Sequence, residues 1–228
     1  MKTMKGARIT LFSMMFLASA ASSQAGPIFI SNFGFEDTDI GIGGIVNGDA
    51  PGWTVSNGFA GVWHPGQGAT PFFNNGAPEG TQFLFVGFEG GAADVSQTLG
   101  ATVEANTTYA LSFYLGQRLD LALSTYSVSL LANGTVLASD STGTTTPGNF
   151  TARTITFNSG ANPDTLGQTL GISIHASGLS SGGQGAQAEF DSFSFSPLGT
   201  PSGVPEPATF VLLGAGIAGM AVLRRRLQ

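Results

Sequence analysis

Tyr109-Ala110-Leu111-Ser112-Phe113-Tyr114-Leu115 decides the fold class. Tyr109, Leu111, Phe113 and Leu115 share one side, and Ser112 and Tyr114 take the other. This period of two marks a strand with one face in a core. Working outward, Tyr126, Val128 and Leu130 repeat the alternation. Asn133-Gly134 then supplies a two-residue turn, because both residues accept positive φ, and Thr135-Val136-Leu137 returns. Ile155 with Phe157, then Leu170, Ile172, Ile174 and Ala176, then Phe193 with Phe195 mark three further strands. Upstream, Phe83 and Phe85 fall on one face and Leu84 and Val86 on the other, so this strand is expected to be central and covered on both sides. Val95, Gln97 and Leu99 mark the strand after it. Between the strands lie stretches rich in Gly, Asn, Pro and Ser, and helix-period patterns are scarce from residue 26 to 198. The pattern is that of an all-β sandwich. Thr38 to Gly80, which carries Trp53 and Trp63, reads as long loops with two strands.

The two ends have a different character. Lys2, Lys5 and Arg8 precede an apolar stretch from Ile9 to Ala21, and Ser23-Gln24-Ala25 has the small-x-small form of a signal-peptidase site. Residues 1–25 therefore read as a signal peptide. At the other end stand Val204-Pro205-Glu206-Pro207, an apolar run from Ala208 to Leu223, and Arg224-Arg225-Arg226. As a helix, the run of 16 residues spans about 24 Å, against roughly 30 Å of hydrocarbon. Arginines at its end can snorkel to the headgroups, and their charge belongs on the cytoplasmic side. Gly214 to Gly219 spells G-x-G-x-x-G, but no acidic residue follows it, so a dinucleotide site is rejected. This ending resembles the PEP-CTERM sorting signal. The resemblance implies that exosortase, a membrane peptidase, removes the tail and releases the body to the cell surface or the extracellular polysaccharide. It covers the tail alone.

Domain limits follow: signal peptide 1–25, sandwich 26–198, linker 199–203 and sorting tail 204–228, with the membrane helix at 208–223. The sandwich holds two basic residues, Arg118 and Arg153, against thirteen acidic ones, a formal charge of −11. Such a body repels phosphate backbones, which excludes nucleic acid as a partner. Cysteine is absent, so disulfides, thiol catalysis and cysteine metal sites are excluded. Two histidines, His64 and His175, cannot build a three-histidine metal site.

A second resemblance rests on five motifs in order. They are Asn32-Phe33-Gly34-Phe35-Glu36, Pro51-Gly52-Trp53, Gln97-Thr98, Tyr109-Ala110-Leu111-Ser112-Phe113 and Phe190-Asp191-Ser192-Phe193. Together they resemble the galactose-binding-like jelly roll of carbohydrate-binding modules. In that fold an acidic residue after the first strand meets one near the last strand at a structural calcium. Glu36 and Asp191 match those positions, with Asp37 and Asp39 nearby. Calcium takes carboxylate and carbonyl oxygens at about 2.3–2.6 Å. The competing reading is of solvated loop acids, and a two-carboxylate glycosidase pair is a third. Trp53 matches a core position of the family. Trp63, in Gly-Val-Trp-His-Pro-Gly, lies among loop residues and is the candidate for stacking on a sugar. No nucleophile-elbow motif occurs, and no catalytic residue is singled out.

These readings converge on an exported jelly roll without enzymatic activity. It is held briefly in the inner membrane, processed by signal peptidase and exosortase, and given a structural or adhesive role in exopolysaccharide or biofilm. The residues themselves establish no cofactor; the jelly-roll resemblance implies a structural calcium. The alternatives are a carbohydrate-binding module with a defined glycan and, more distantly, a secreted hydrolase.

Overall fold

Burial follows the alternation around Leu111: Tyr109, Leu111, Phe113 and Leu115 are buried, while Ser112 is half-buried and Tyr114 exposed. The computed structural model describes residues 26–66 and 72–198. The expected signal peptide, linker, sorting motif Val204–Pro207, membrane helix and Arg224–Arg226 lie outside the described residues.

Twelve strands form among the described residues: β1 (Ile45–Asn47), β2 (Thr54–Gly58), β3 (Ala60–Trp63), β4 (Phe83–Val86), β5 (Ala93–Thr102), β6 (Thr108–Gln117), β7 (Ala122–Leu123), β8 (Tyr126–Ala132), β9 (Thr135–Asp140), β10 (Asn149–Asn158), β11 (Thr169–Ala176) and β12 (Ala186–Pro197). One sheet has the order β1-β3-β4-β12-β6-β10, with the short β7 parallel to β12; the other runs β2-β5-β11-β8-β9. Their facing sides form the core. Leu84, Val86, Leu111, Phe113, Phe190 and Phe193 come from the first sheet, and Val95, Val128, Leu130, Ile172 and Ile174 from the second. Each such fully buried side chain contributes about 1.5–3 kcal/mol. The jelly-roll sandwich expected from the sequence is the fold observed. Thr38 to Gly80 holds three strands rather than two, and Trp63 ends one of them.

Three local details carry sequence into architecture. Asn133 and Gly134 have φ of 46° and 83° and join β8 to β9 with Ala132 opposite Thr135. In β12 the register slips between Asp191 and Ser194, where Ser192 has φ of 51° and donates its N–H to Asp191 Oδ1 at 2.6 Å. This bulge lets Phe190, Phe193 and Phe195 all reach the core, although their numbers change parity. Across the sandwich, Asp140 at the end of β9 accepts Arg153 Nε at 2.8 Å and Nη2 at 2.9 Å from β10, plus Tyr126 O–H at 3.1 Å. The bidentate pair ties the two sheets together. Burial, then the Asp140 charge, pushes the Tyr126 phenol up to about 12.

Candidate active site

The outer face of the first sheet is also covered. All four residues of β4 are buried: Leu84 and Val86 enter the core, and Phe83 and Phe85 join Trp63 and Phe73 in a second apolar cluster. Phe72, Ala77 and Phe150 pack against it. The rings meet at 5.1–5.8 Å between centroids, for example Phe73–Phe83 at 5.1 Å and Trp63–Phe73 at 5.8 Å. Most of these pairs are edge-on, the arrangement the ring quadrupole favours.

One register row explains what lies beneath this cover. It runs straight across the sheet as Gly61, Phe85, Glu189, Gly116 and Phe150. Gly116 has no side chain, and a Cβ there would run into the Phe150 ring, so that ring lies over the sheet beside Glu189. Glu189 is therefore sealed, at 0% exposure. Neither of its oxygens has a hydrogen-bond partner among the described residues. Burial pushes its carboxyl up to about 8, with the Arg118 charge opposing and the Asp120 charge adding to the shift. At neutral pH Glu189 is thus a protonated acid in apolar surroundings, an arrangement typical of proton donors.

A pocket of about 150 Å³ opens next to it, lined by Ile45, Phe59, Trp63, Phe85, Phe88, Arg118 and Gln187. Phe85 is the cross-strand neighbour of Glu189, and Gln187 is its neighbour along the same face of β12. Arg118 stands just beyond β6, with its guanidinium 5.1 Å from the Trp63 ring centroid and 4.6 Å from that of Phe72. It donates to Asp120 Oδ1 at 2.8 Å and Oδ2 at 2.6 Å, and to Gln187 Oε1 at 3.1 Å. The pocket lining is mainly aromatic and apolar with one clamped cation, and the Glu189 carboxylic acid stands in the strand next to the Phe85 that lines it. Positive charge developing in a bound molecule would meet ring faces, and protons could come from Glu189.

The residues singled out in the sequence fall into two places. Trp63 borders this pocket, but at 6% exposure it is buried rather than displayed on a loop. Asp191 lies two residues along β12 from Glu189, Glu36 precedes β1, and both grip the segment after residue 78. Glu36 Oε1 accepts the N–H groups of Thr81 and Gln82, each at 2.6 Å, and Asp191 Oδ2 accepts that of Glu79 at 2.9 Å. Gly80, between those donors, has φ of 58°, and a Cβ there would run into the Glu36 carboxylate. Burial pushes Asp191 up to about 8; backbone N–H groups oppose this, and the Glu79 and Glu36 charges add to it. Asp39 accepts the Gly41 N–H, and Asp37 donates its own N–H to Asn32. Among the described residues no group of three or more His, Cys, Asp or Glu is arranged to hold a metal ion. Trp53 packs between Phe35 at 5.5 Å and Phe193 at 5.2 Å. His175 is exposed and meets Asp94 at 2.7 Å.

Glu189, Arg118 and Gln187 were not among the sequence candidates. The available signal was the alternation of Gln187, Glu189 and Asp191 with Ala188 and Phe190. It marks an outward face without revealing that this face is covered.

Residues 26–196 match the model of the HpiC1-like family, described as HpiC1 cyclase, and residues 203–226 match the PEP-CTERM protein-sorting motif. That motif implies an exported protein, transiently anchored in the membrane and processed by exosortase. Among solved structures, the chain is similar to Fisc, a Stig cyclase from Fischerella sp. TAU in complex with (3Z)-3-(1-methyl-2-pyrrolidinylidene)-3H-indole. Their TM-score is 0.68 at 26% identity, over 77% of this chain and 98% of that one. A cyclase from Fischerella sp. TAU in complex with 4-(1H-indol-3-yl)butan-2-one gives 0.66 at 26%, over 78% of this chain and 100% of that one. An arabinose-bound α-L-arabinofuranosidase gives 0.50 at 20% identity, over 77% of this chain and 27% of that one, and shows the fold alone. No curated protein matches the chain. The expectation of a body without enzymatic activity is overturned by the family match and the two Fischerella structures, all of which are cyclases.

Proposed function

The chain belongs to the HpiC1-like family, and from that premise we propose that its sandwich is an exported cyclase with Glu189 as proton donor. The observation that carries this reading is a sealed, unpartnered carboxylic acid beside an aromatic pocket. The proton of Glu189 passes to a carbon–carbon double bond of the substrate. The resulting carbocation is attacked by a second π-system of the same molecule, and a carbon–carbon bond forms. Loss of a proton to the Glu189 carboxylate then restores the acid and leaves a neutral isomer. No oxidant, reductant or co-reactant enters the balance.

The rings of Trp63, Phe59, Phe85 and Phe88 supply the surface on which a transient cation is tolerated. The two Fischerella cyclases were captured with indole compounds, and we take an indole-bearing alkene as the substrate class. At about 150 Å³ the pocket is smaller than the roughly 300 Å³ at which ligand sites begin. A substrate of that class must therefore displace part of the lining, of which Ile45, 56% exposed, and Phe59, 40% exposed, are the most open side chains.

The full-length chain is to be incubated with a panel of alkenyl indoles and the products separated by chromatography with mass detection. An isomer of unchanged mass is expected. Glu189→Gln should lower its formation about 10²–10⁴-fold, the usual worth of a general acid, while calorimetry still registers 4-(1H-indol-3-yl)butan-2-one binding. Undiminished turnover in that variant, or no isomer from any member of the panel with the wild type, rejects the reading.

Two further elements belong to the proposal. A structural calcium bound by Glu36 and Asp191 is also proposed; its support is that the two carboxylates hold the same backbone segment, Glu36 at Thr81 and Gln82 and Asp191 at Glu79. Further oxygen ligands would have to come from backbone carbonyls. The site of action, at the cell surface or in exopolysaccharide and biofilm, is supported by the sorting motif.

A further inference from the structure

Half of the Gln187 amide is unspent. The residue is 4% exposed, and its backbone carbonyl accepts the Ser124 N–H at 3.0 Å. Its side-chain oxygen accepts Arg118 Nη1–H at 3.1 Å. Because arginine offers donors only, the amide has one sense: oxygen toward Arg118, nitrogen away from it. Nε2 donates to no described residue, yet it is not sealed off as the Glu189 oxygens are. The open space that Gln187 lines is the aromatic pocket, so the N–H groups of Nε2 face into it. A buried amide donor left unmatched costs stability. Held on a strand at the wall of an apolar pocket, such a donor is the kind of group that orients a ligand.

The rest of the lining limits what that ligand can be. Ile45, Phe59, Phe85 and Phe88 bring no polar side-chain atom, and Trp63 brings a donor. Arg118 brings donors and a charge already met by both oxygens of Asp120. A fitting molecule therefore has an apolar, ring-bearing body and one uncharged acceptor. Resting on the cyclase reading, we propose that Gln187 Nε2 recognises the substrate, which narrows the class to indole-bearing alkenes that carry a neutral hydrogen-bond acceptor such as a carbonyl oxygen. Arg118 acts here only through Gln187, by keeping the amide in the sense that presents its nitrogen. With the acceptor pinned at one end, the body of the molecule lies along the rings in one orientation before the chemistry begins.

The test is calorimetry on the full-length chain with indoles of one shape. 4-(1H-indol-3-yl)butan-2-one carries the acceptor, 3-isopentylindole has a CH–CH3 group in place of the carbonyl, and indole-3-propanoate has a carboxylate in place of the acetyl group. The ratio of Kd values, hydrocarbon over ketone, should be about tenfold larger in the wild type than in Gln187→Met, which keeps the length and loses both donors; a neutral hydrogen bond is worth about that factor. The carboxylate should bind more weakly than the ketone, because its charge would leave water for a site whose cation is already paired. The ketone labelled with carbon-13 at its carbonyl should show an infrared stretch lower in the wild-type complex than in an apolar solvent, a reading that stands even if Gln187→Met folds poorly. An unchanged Kd ratio, an unlowered stretch, a carboxylate that binds tightest, or no binding of the ketone overturns the proposal. The stated ratio and stretch in a protein that closes no ring would uphold Gln187 and refute the cyclase reading; ring closure with an unchanged ratio would do the reverse.

Discussion

Glu189 costs the fold stability, and the sign of that cost can be measured. Its carboxyl stands at about 8 when folded, against 4.5 ordinarily, so between those values the folded state holds a proton that the unfolded state has released. Stability must therefore fall as pH rises from about 4.5 to about 8, and level off above. Glu189→Gln removes the titration while keeping the shape. We expect this variant to melt higher than the wild type at pH 8, by the equivalent of a few kcal/mol, and at about the same temperature at pH 4. Thermal unfolding of both proteins across that range checks the expectation; a variant less stable at pH 8 would show that the carboxyl is compensated. Stabilisation together with lost turnover would follow the common exchange between stability and activity at strained sites.

At the scale of elements, β12 does most to join the fold to the site. Its inward residues Phe190, Phe193 and Phe195 build the core, and its outward residues Gln187, Glu189 and Asp191 reach both the pocket and the acidic cluster. If calcium binds at Glu36 and Asp191, it clips the loop before β4 to this strand. The full-length chain should then melt higher in calcium than in chelator, by about 2.7 kcal/mol when calcium is at 100 times Kd. Glu36→Ala with Asp191→Asn should abolish the difference; an identical wild-type melt in both conditions removes calcium from the account. The strands themselves were legible, because each inner face writes a period of two into its own residues. β4 was legible even as a doubly covered strand, since Phe83, Leu84, Phe85 and Val86 leave no polar face. What covers its outer side was not, because Phe72, Phe73 and Phe150 come from distant segments that only the folded sheet order brings together. Arg118 was hidden for the same reason: its meaning depends on Trp63 and Phe72, which lie 55 and 46 positions earlier in the chain.

For the whole molecule, the sorting motif and the sandwich act in sequence. If the tail is cut near Val204–Pro207, mass spectrometry of the exported protein recovered from the native host should find a mature C-terminus there. An intact Arg224–Arg226 end would exclude release. The sheet order adds a constraint on timing. The last strand of the sandwich lies in the middle of its sheet, between β4 and β6, and it carries Glu189. A chain crossing the membrane from its N-terminus delivers the two halves of that sheet first and the strand that joins them at the end. Such long-range pairing waits for its partner. The acid that would start the chemistry thus takes its place in the sheet only after both of the strands that flank it have been delivered.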